Sequence, residues 1–375
     1  MKKIVIVANA SIEIGSGHII RCLTIAENLR KNCFNVFFMM ENLKGNLIEF
    51  VKKQNFEVIM QPINANLYII DRYDLGYEEE SYFRRFTKYI MVIDDLANRK
   101  HDCDILLDQS LVPNYLDRYD SLVSNSCKKL LGPKYLVLRD EFTKIRKQRN
   151  IKSLDNILVF MGGTDPTKET LKVLKALESF SYLNVDIVVG VNNIEKNKIK
   201  DICESRNYNY HEQINYLSEL MKKADLAIGA GGLTNWERIY VGLPSICTIV
   251  AENQKDGTTY AGEINICINL GWYKNVKIIT YKNILNKITF KQLQNISDNG
   301  LMITKTDISL FPNFIKSLAK VKKACALTNY ELGDLTDIQK DAIIQACNEI
   351  IDGKFHDQFI VDPIQGGAGT STNMN

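Results

Sequence analysis

Short apolar runs alternate with stretches of helical spacing from the first residues of this chain, and the alternation occurs twice. Ile4–Ala8, Val36–Met40, Phe56–Met60, Leu67–Asp71, Tyr89–Asp94 and Asp104–Leu107 have strand length. After the first of them, Ile19, Leu23, Ala26 and Leu29 recur at helical spacing over His18–Lys31. Continuous apolar runs read as strands covered on both faces, and the helices between them are the crossovers a parallel sheet needs. From Arg139 to Asn156 the chain turns polar ("RDEFTKIRKQRNIKSLDN"), which reads as an interdomain segment, helical in its first half. The alternation then restarts with "NILVFMGG", a strand at Val185–Val189, a helix at Leu217–Lys223, the strand "ADLAIGAGG", the helix "LTNWERIYVG" and the strand "LPSICTIVA".

The fold class expected is α/β: two Rossmann-like lobes, residues 1–150 and 151–305, with a cleft between them. In such sheets ligands sit beyond the carboxyl ends of the strands. Residues 306–375 read differently, as a mainly helical extension with Pro312 near the start of one helix and Thr336 as the cap of the next. A length of 375 residues fits more than one core, and 45% hydrophobic with 24% charged residues is a globular composition. A net charge of +3 does not indicate nucleic acid or an anionic membrane surface as partner. It leaves room for a local site that binds a small polyanion. Nine scattered cysteines with no Cys-x-x-Cys read as reduced thiols of a cytoplasmic protein. Four histidines argue against a histidine-rich metal site. The start, "MKKIVIVANAS", imitates a signal peptide, but its apolar part is short and a first β-strand is expected. No run reaches the roughly 20 apolar residues of a membrane span.

Three glycine turns could carry chemistry. In "IGSGH", Gly15 and Gly17 follow a strand and open a helix, where glycine permits tight turning and close approach of a ligand. The third glycine of a dinucleotide fingerprint is missing. His18 falls in the first helical turn, and from the motif alone it reads equally as a packed histidine or as a base. "MGGTD" (161–165) and "GAGGLTNWE" (229–237) repeat the strand–turn–helix arrangement. One such turn is ordinary βα geometry. A pair suits a diphosphate, with amide donors and two helix N-termini facing the charge. Thr164 and Thr234 could add hydroxyl donors, and Glu237 could accept from a ribose diol. In "VIDDLANRKHDCDILLDQ", Asp94, Asp95, His101, Asp102 and Asp104 lie near strand ends; their spacing fits no metal site. Loop acids bonded to the histidine helix or to a sugar are the expectation. Asp71 and Tyr73 in "IIDRYD" end a strand on the same face.

"IGSGHIIRCLTIA", "IIDRYD", "IDDLANRKHDCDILLDQ", "GPKYLVLRDEF", "FMGGTDP", "GAGGLTNWE" and "AENQ" occur in this order over about residues 1–305. Together they resemble the UDP-2,4-diacetamido-2,4,6-trideoxy-β-L-altropyranose hydrolases of the pseudaminic acid pathway, a family similar in fold to two-lobed GT-B glycosyltransferases. The resemblance implies that His18 acts at the anomeric carbon. It places uridine and diphosphate near Gly162, Gly163, Thr164, Gly232, Leu233, Glu237, Asn253 and Gln254, with Thr234 beside them. It places the sugar near Gly15, Ser16, Gly17, Tyr73 and Asp95, and Arg21 is counted with these. It implies a UDP-sugar as partner and no metal; no cofactor, no nucleic acid and no membrane are expected, and a monomer is plausible. UDP leaves easily, so one base and a set of diphosphate donors suffice where ordinary glycosidases need two carboxylates. The expected reaction is attack by a His18-activated water at C1, opposite UDP, with inversion. A UDP-sugar-dependent glycosyltransferase is the alternative within the same fold, and it requires an acceptor.

The tail resembles something else. "AKVKKACALTNYELGDL" and "GKFHDQFIVDPIQGGAGTSTNMN" are similar to an early segment of aspartate ammonia-lyase, of the aspartase/fumarase superfamily. The resemblance places Thr370, Ser371, Thr372 and Asn373 in a region that contacts a substrate carboxylate. The long helix bundle and the later serine loop of such an enzyme are not in the sequence, so ammonia release is not expected. A fused or misassembled reading frame is the expected origin of the tail, ahead of a docking module.

Overall fold

The first apolar run forms Lys3–Ala8 (β1), and Ile4 to Ala8 are all buried. It lies in the interior of a seven-stranded parallel sheet with Asn35–Met39 (β2), Glu57–Ile59 (β3), Leu67–Asp71 (β4), Tyr89–Ile93 (β5), Ile105–Asp108 (β6) and Lys128–Leu131 (β7). The strand order is β3-β2-β1-β4-β5-β6-β7. Burial on both faces explains the unbroken apolar runs, and each such Val or Ile side chain contributes about 1.5–3 kcal/mol. This computed structural model describes residues 2–11, 14–304 and 312–359. They fall into two compact units, one within Met1–Thr304 and one within Lys305–Asn375.

The first unit holds a second sheet, of six parallel strands: Asn156–Phe160 (β8), Asn184–Val189 (β9), Asn209–Glu212 (β10), Leu226–Ala230 (β11), Ser245–Ile249 (β12) and Ile268–Trp272 (β13). Its order is β10-β9-β8-β11-β12-β13. Helices Gly17–Lys31 (α1), Ile48–Lys53 (α2) and Tyr77–Phe83 (α3) accompany the first sheet. Asp140–Ile145 (α4) lies in the polar connecting segment. The second sheet is accompanied by Glu169–Leu177 (α5), Lys196–Arg206 (α6), Leu217–Lys223 (α7), Leu233–Tyr240 (α8), Lys255–Glu263 (α9), Ile278–Lys287 (α10) and Phe290–Ile303 (α11). The connecting segment packs on the second sheet: Phe142 joins Leu158, Met221 and Tyr240 in one apolar cluster. Arg146 donates to the Tyr240 and Leu301 carbonyls, and Arg149 to those of Met221 and Ala224.

Each sheet reverses its strand order at one place. In the first this is between β1 and β4, where Ala8 pairs with Asp71. In the second it is between β8 and β11, where Phe160 pairs with Gly229. A crevice opens beyond the strand ends at such a reversal. "IGSGH" leaves β1, "MGGTD" leaves β8 and "GAGG" leaves β11, so all three glycine turns sit at the two reversals.

In the second unit, Pro312–Glu331 (α12) gives way at Gly333, in the left-handed region (φ 84°), to Asp337–Ile351 (α13). Thr336 caps α13: its side chain accepts from Gln339 N, while Gln339 Oε1 accepts from Thr336 N at 3.0 Å. Thr370, Ser371, Thr372 and Asn373 lie outside the described residues.

Candidate active site

His18 stands in the first turn of α1, facing the end of β4. Its Nδ1–H donates to Asp71 Oδ1 at 2.6 Å. Asp71 also accepts from Arg21 Nη2 at 2.7 Å, Arg21 Nε at 3.0 Å and the Cys22 thiol at 3.4 Å. Burial opposes the Asp71 charge, but the Arg21 guanidinium and then His18 hold its carboxyl well below the usual carboxylate range. An ionised Asp71 can only accept, so the hydrogen on Nδ1 is fixed and Nε2 is left with the lone pair. The His18 ring meets Tyr73 edge-on, with centroids 4.6 Å apart. Tyr73 Oη donates to Asp95 Oδ1 at 2.7 Å, and Asp95 Oδ2 lies 3.7 Å from Arg21 Nη1. His18, Arg21, Asp71, Tyr73 and Asp95 thus form one connected polar group.

Across the cleft, the two glycine turns of the second sheet differ. Gly162 adopts φ 91°, a conformation that suits glycine. The helix after that turn, α5, starts only at Glu169, and Asp165 occupies its amino end: Oδ1 accepts from Glu169 N at 3.0 Å and Oδ2 from Thr170 N at 2.9 Å. This corrects the expectation of two helix N-termini free for a diphosphate. The first is filled by a carboxylate of the chain itself, which is a good helix cap and a poor neighbour for phosphate. At the second turn, α8 starts directly at Leu233 with Gly232 as N-cap, so no side chain caps it. Its leading amides have no intrahelical acceptor.

A cavity of about 530 Å³ lies between the two sheets, within the range of small-ligand sites. Of the residues singled out in the sequence, Gly15, Ser16, Gly17, His18, Arg21, Tyr73, Asp95, Gly162, Gly163, Thr164, Gly232, Leu233, Thr234, Glu237, Asn253 and Gln254 line it, whereas Asp71, Asp94, His101, Asp102 and Asp104 do not. Asn253 Nδ2 reaches from one lobe to Tyr73 Oη of the other at 3.4 Å. Gln254 Oε1 accepts from Val250 N at 3.1 Å, and an added Cβ on Gly232 would lie 3.4 Å from Gln254 Nε2. Glu237 accepts from Arg139 Nη2 at 3.1 Å and Nε at 3.2 Å. Burial pushes the Glu237 carboxyl up to about 6 against the pull of Arg139.

Several groups of the site carry no local signal in the sequence. Asp71 ends a strand on the same face as His18, but its bond to His18 joins positions 53 residues apart. Arg139 sits in a polar segment that carries no local signal of its partner Glu237, 98 residues on. Arg118, Ser110 and Gln109 also line the cavity; Arg118 Nη1 is 3.2 Å from Asp108 Oδ2 and its Nη2 donates to Asp95 O at 3.2 Å. Most of the acids of "VIDDLANRKHDCDILLDQ" have structural work. Asp94 accepts from Arg99, Tyr119 and the Leu96 and Ala97 amides. Asp102 and Asp104 accept from Arg84. His101 Nδ1 donates to Glu80 at 2.7 Å, with Asp94 3.8 Å from Nε2. Among the described residues, no group of three or more His, Cys, Asp or Glu is arranged to hold a metal ion. Among them, too, no helix is long and apolar enough to cross a membrane.

Known proteins match this chain in two separate regions. Residues 157–265 match the glycosyltransferase family 28 C-terminal domain, and residues 290–375 match a lyase family. The chain is 30% identical over 278 residues to uncharacterized protein MJ1062 of Methanocaldococcus jannaschii, covering 68% of this chain and 57% of that protein. It is 26% identical over 280 residues to the spore coat polysaccharide biosynthesis protein SpsG of Bacillus subtilis, covering 71% of this chain and 83% of SpsG. Its C-terminal region is 56% identical over 79 residues to aspartate ammonia-lyase of Helicobacter pylori, which is 21% of this chain and 17% of the lyase. The chain therefore spans little more than half of the archaeal relative and a small part of the lyase. Among solved structures, Acinetobacter baumannii MurG superposes with a TM-score of 0.54 at 12% identity, over 80% of this chain and 95% of that one. TcCGT1 in complex with UDP gives 0.56 at 10% identity, over 94% and 99%. The fold is the two-lobed glycosyltransferase (GT-B) architecture. A glycosyltransferase-type second lobe and a C-terminal region that matches aspartate ammonia-lyase are combined in one chain.

Proposed function

We propose that the first unit binds a nucleoside diphosphate sugar across the cleft and breaks the bond between the anomeric carbon and the diphosphate oxygen. The observation that carries this reading is that His18, held from behind by Asp71, and the uncapped start of α8 line one cavity. An incoming O–H group bonds to His18 Nε2 and gives up its proton as its oxygen attacks C1. The C1–O electron pair leaves with the nucleoside diphosphate, and attack from the far side inverts the anomeric centre. The diphosphate needs donors rather than a strong acid; the open start of α8 at Gly232–Thr234 supplies most of them, with the turn at Gly162–Thr164 alongside. Glu237 takes the ribose hydroxyls. Tyr73, Asp95 and the residues at Gly15–Gly17 face the sugar, with Arg21 holding Asp71 and Asp95 in place.

The incoming group decides between two enzymes. The match to glycosyltransferase family 28 and the name of the spore coat relative favour an acceptor hydroxyl, hence a UDP-sugar-dependent glycosyltransferase, and this is the preferred reading. The ordered motifs of residues 1–305 favour water, hence hydrolysis of a UDP-linked 2,4-diacetamido-2,4,6-trideoxy sugar as in pseudaminic acid synthesis. Incubation with that UDP-sugar alone separates them. A transferase releases little UDP until a hydroxyl acceptor is added; a hydrolase releases UDP and free sugar in equal amounts without one. Absence of UDP binding would defeat both. On this reading residues 1–150 form the lobe with His18, residues 151–305 the nucleotide-binding lobe, and residues 306–375 take no part in catalysis.

A further inference from the structure

Behind the α8 turn lies a charge that the proposed reaction does not yet use. Arg238 is 1% exposed. Its Nη2 donates to the Ala230 carbonyl at 2.7 Å and to Asn235 Oδ1 at 3.2 Å, and lies 3.6 Å from Cys247 Sγ. Its Nε, also buried, has no hydrogen-bond partner. The backbone has made room for it: a Cβ on Gly229 would sit 2.3 Å from Arg238 Nη1. Among the described residues no carboxylate lies within ion-pair distance of Arg238; the neighbouring Glu237 feels its charge but is bonded to Arg139 and pushed towards its neutral form by burial, whereas the other buried arginine, Arg21, has Asp71. A buried cation with no carboxylate directly paired to it is costly and normally absent.

The neighbouring thiol does not supply the missing charge. Asn235 Oδ1 must be the acceptor because Arg238 donates to it. Cys247 Sγ, 3.1 Å from the same oxygen, therefore carries its proton. The Cys267 hydrogen bond and the guanidinium pull the Cys247 thiol below its ordinary value, but the geometry is that of a neutral donor.

We propose that Arg238 is a positioning residue whose counter-ion is the diphosphate of the bound nucleotide. It holds the Ala230 carbonyl, and so the turn Ala230–Gly232 that lines the cavity, while its charge acts through that turn on the phosphates. This fits the asymmetry of the two turns: the start of α5 is filled by Asp165, and the start of α8 is both uncapped and backed by a cation. The inference rests on the reading that this turn holds a diphosphate.

Titration calorimetry of the full chain with uridine, UMP and UDP tests it. For Arg238→Gln, which keeps a donor for Ala230 O but no charge, UDP affinity falls by about tenfold or more, UMP affinity by less, and uridine affinity by under about twofold. Arg238→Lys keeps the charge and stays within about threefold of wild type for UDP. Cys247→Ser, which cannot ionise, leaves UDP affinity unchanged. Equal losses for uridine and UDP in the Arg238 variants would mean a merely structural role and overturn the inference while leaving the nucleotide site standing. Tighter UDP binding by Cys247→Ser would make the thiolate the counter-ion and overturn it too. If Arg238→Gln does not fold, the Arg238→Lys comparison of uridine with UDP decides. Failure of the wild type to bind UDP would sink the reading of the site itself.

Discussion

Replacing Asp71 by Asn removes one oxygen's worth of charge from the centre of the site and little volume. Asp71 Oδ1 accepts from both His18 Nδ1 and Arg21 Nη2, and Oδ2 accepts from Arg21 Nε and Cys22. An amide nitrogen in either place faces an arginine donor. If it takes the Oδ1 place it also donates to His18 Nδ1, which moves the ring hydrogen to Nε2 and removes the base. Arg21, 6% exposed, then keeps only Asp95 at 3.7 Å. Stranding a buried ion costs about 3–5 kcal/mol, a large part of a typical total of about 5–15 kcal/mol. Loss of a general base costs about 10²–10⁴-fold in turnover. The assay is UDP release from a UDP-sugar at low temperature, with urea unfolding and UDP titration on the same sample. UDP affinity should hold, because the turns proposed to hold the nucleotide belong to the other lobe. The double variant with Arg21→Leu should regain stability, since both charges are then gone, but not turnover. A folded Asp71→Asn protein with wild-type turnover would refute the reasoning.

Three further outcomes follow from other groups. His101 lies buried between Glu80 and Asp94; burial opposes its charge, but Asp94 and Glu80 push it up to about 9. A folded value above the ordinary 6.5 gives stability that is complete below about pH 6.5 and lost as pH rises through about 9, by at most about 3 kcal/mol. The urea midpoint of the wild type should therefore fall over that range relative to His101→Gln, and parallel curves would argue against a charged His101. Glu237, pushed up to about 6 by burial, costs stability once ionised. Glu237→Gln should be more stable than wild type at pH 7.5 by about 1–2 kcal/mol and bind uridine more weakly; a less stable, tight-binding variant would contradict both roles. Limited proteolysis between residues 305 and 335 should leave UDP binding and turnover intact, and loss of either on cleavage would give the lyase-like region a part in the reaction.

Much of this was legible in the sequence, and the physical reasons are specific. The central strands are buried on both faces, so β1, β4, β8 and β11 announced themselves as unbroken apolar runs. The strands that escaped notice, β7, β10 and β13, are all at sheet edges, where one side is open and "KKLL", "NYHE" and "INLGW" need not be wholly apolar. The glycine turns were visible because tight βα connections need glycine. What the turns face was not visible. Nothing in "MGGTD" says that Asp165 folds back onto the α5 amides, and nothing in "NWER" says that the arginine runs beneath its own turn. Those are contacts of three-dimensional closure, as are His18–Asp71 and Arg139–Glu237, which join distant positions.

The central claim is that an oxygen attacks the anomeric carbon and that the nucleoside diphosphate leaves with its own oxygens. Turnover of a UDP-sugar in ¹⁸O water, with mass spectrometry of both products, tests this directly. The account predicts UDP without label, with the label in the free sugar if water is the incoming group, or in neither product if an added hydroxyl is. Label in the terminal phosphate of UDP would show attack at phosphorus and contradict the account.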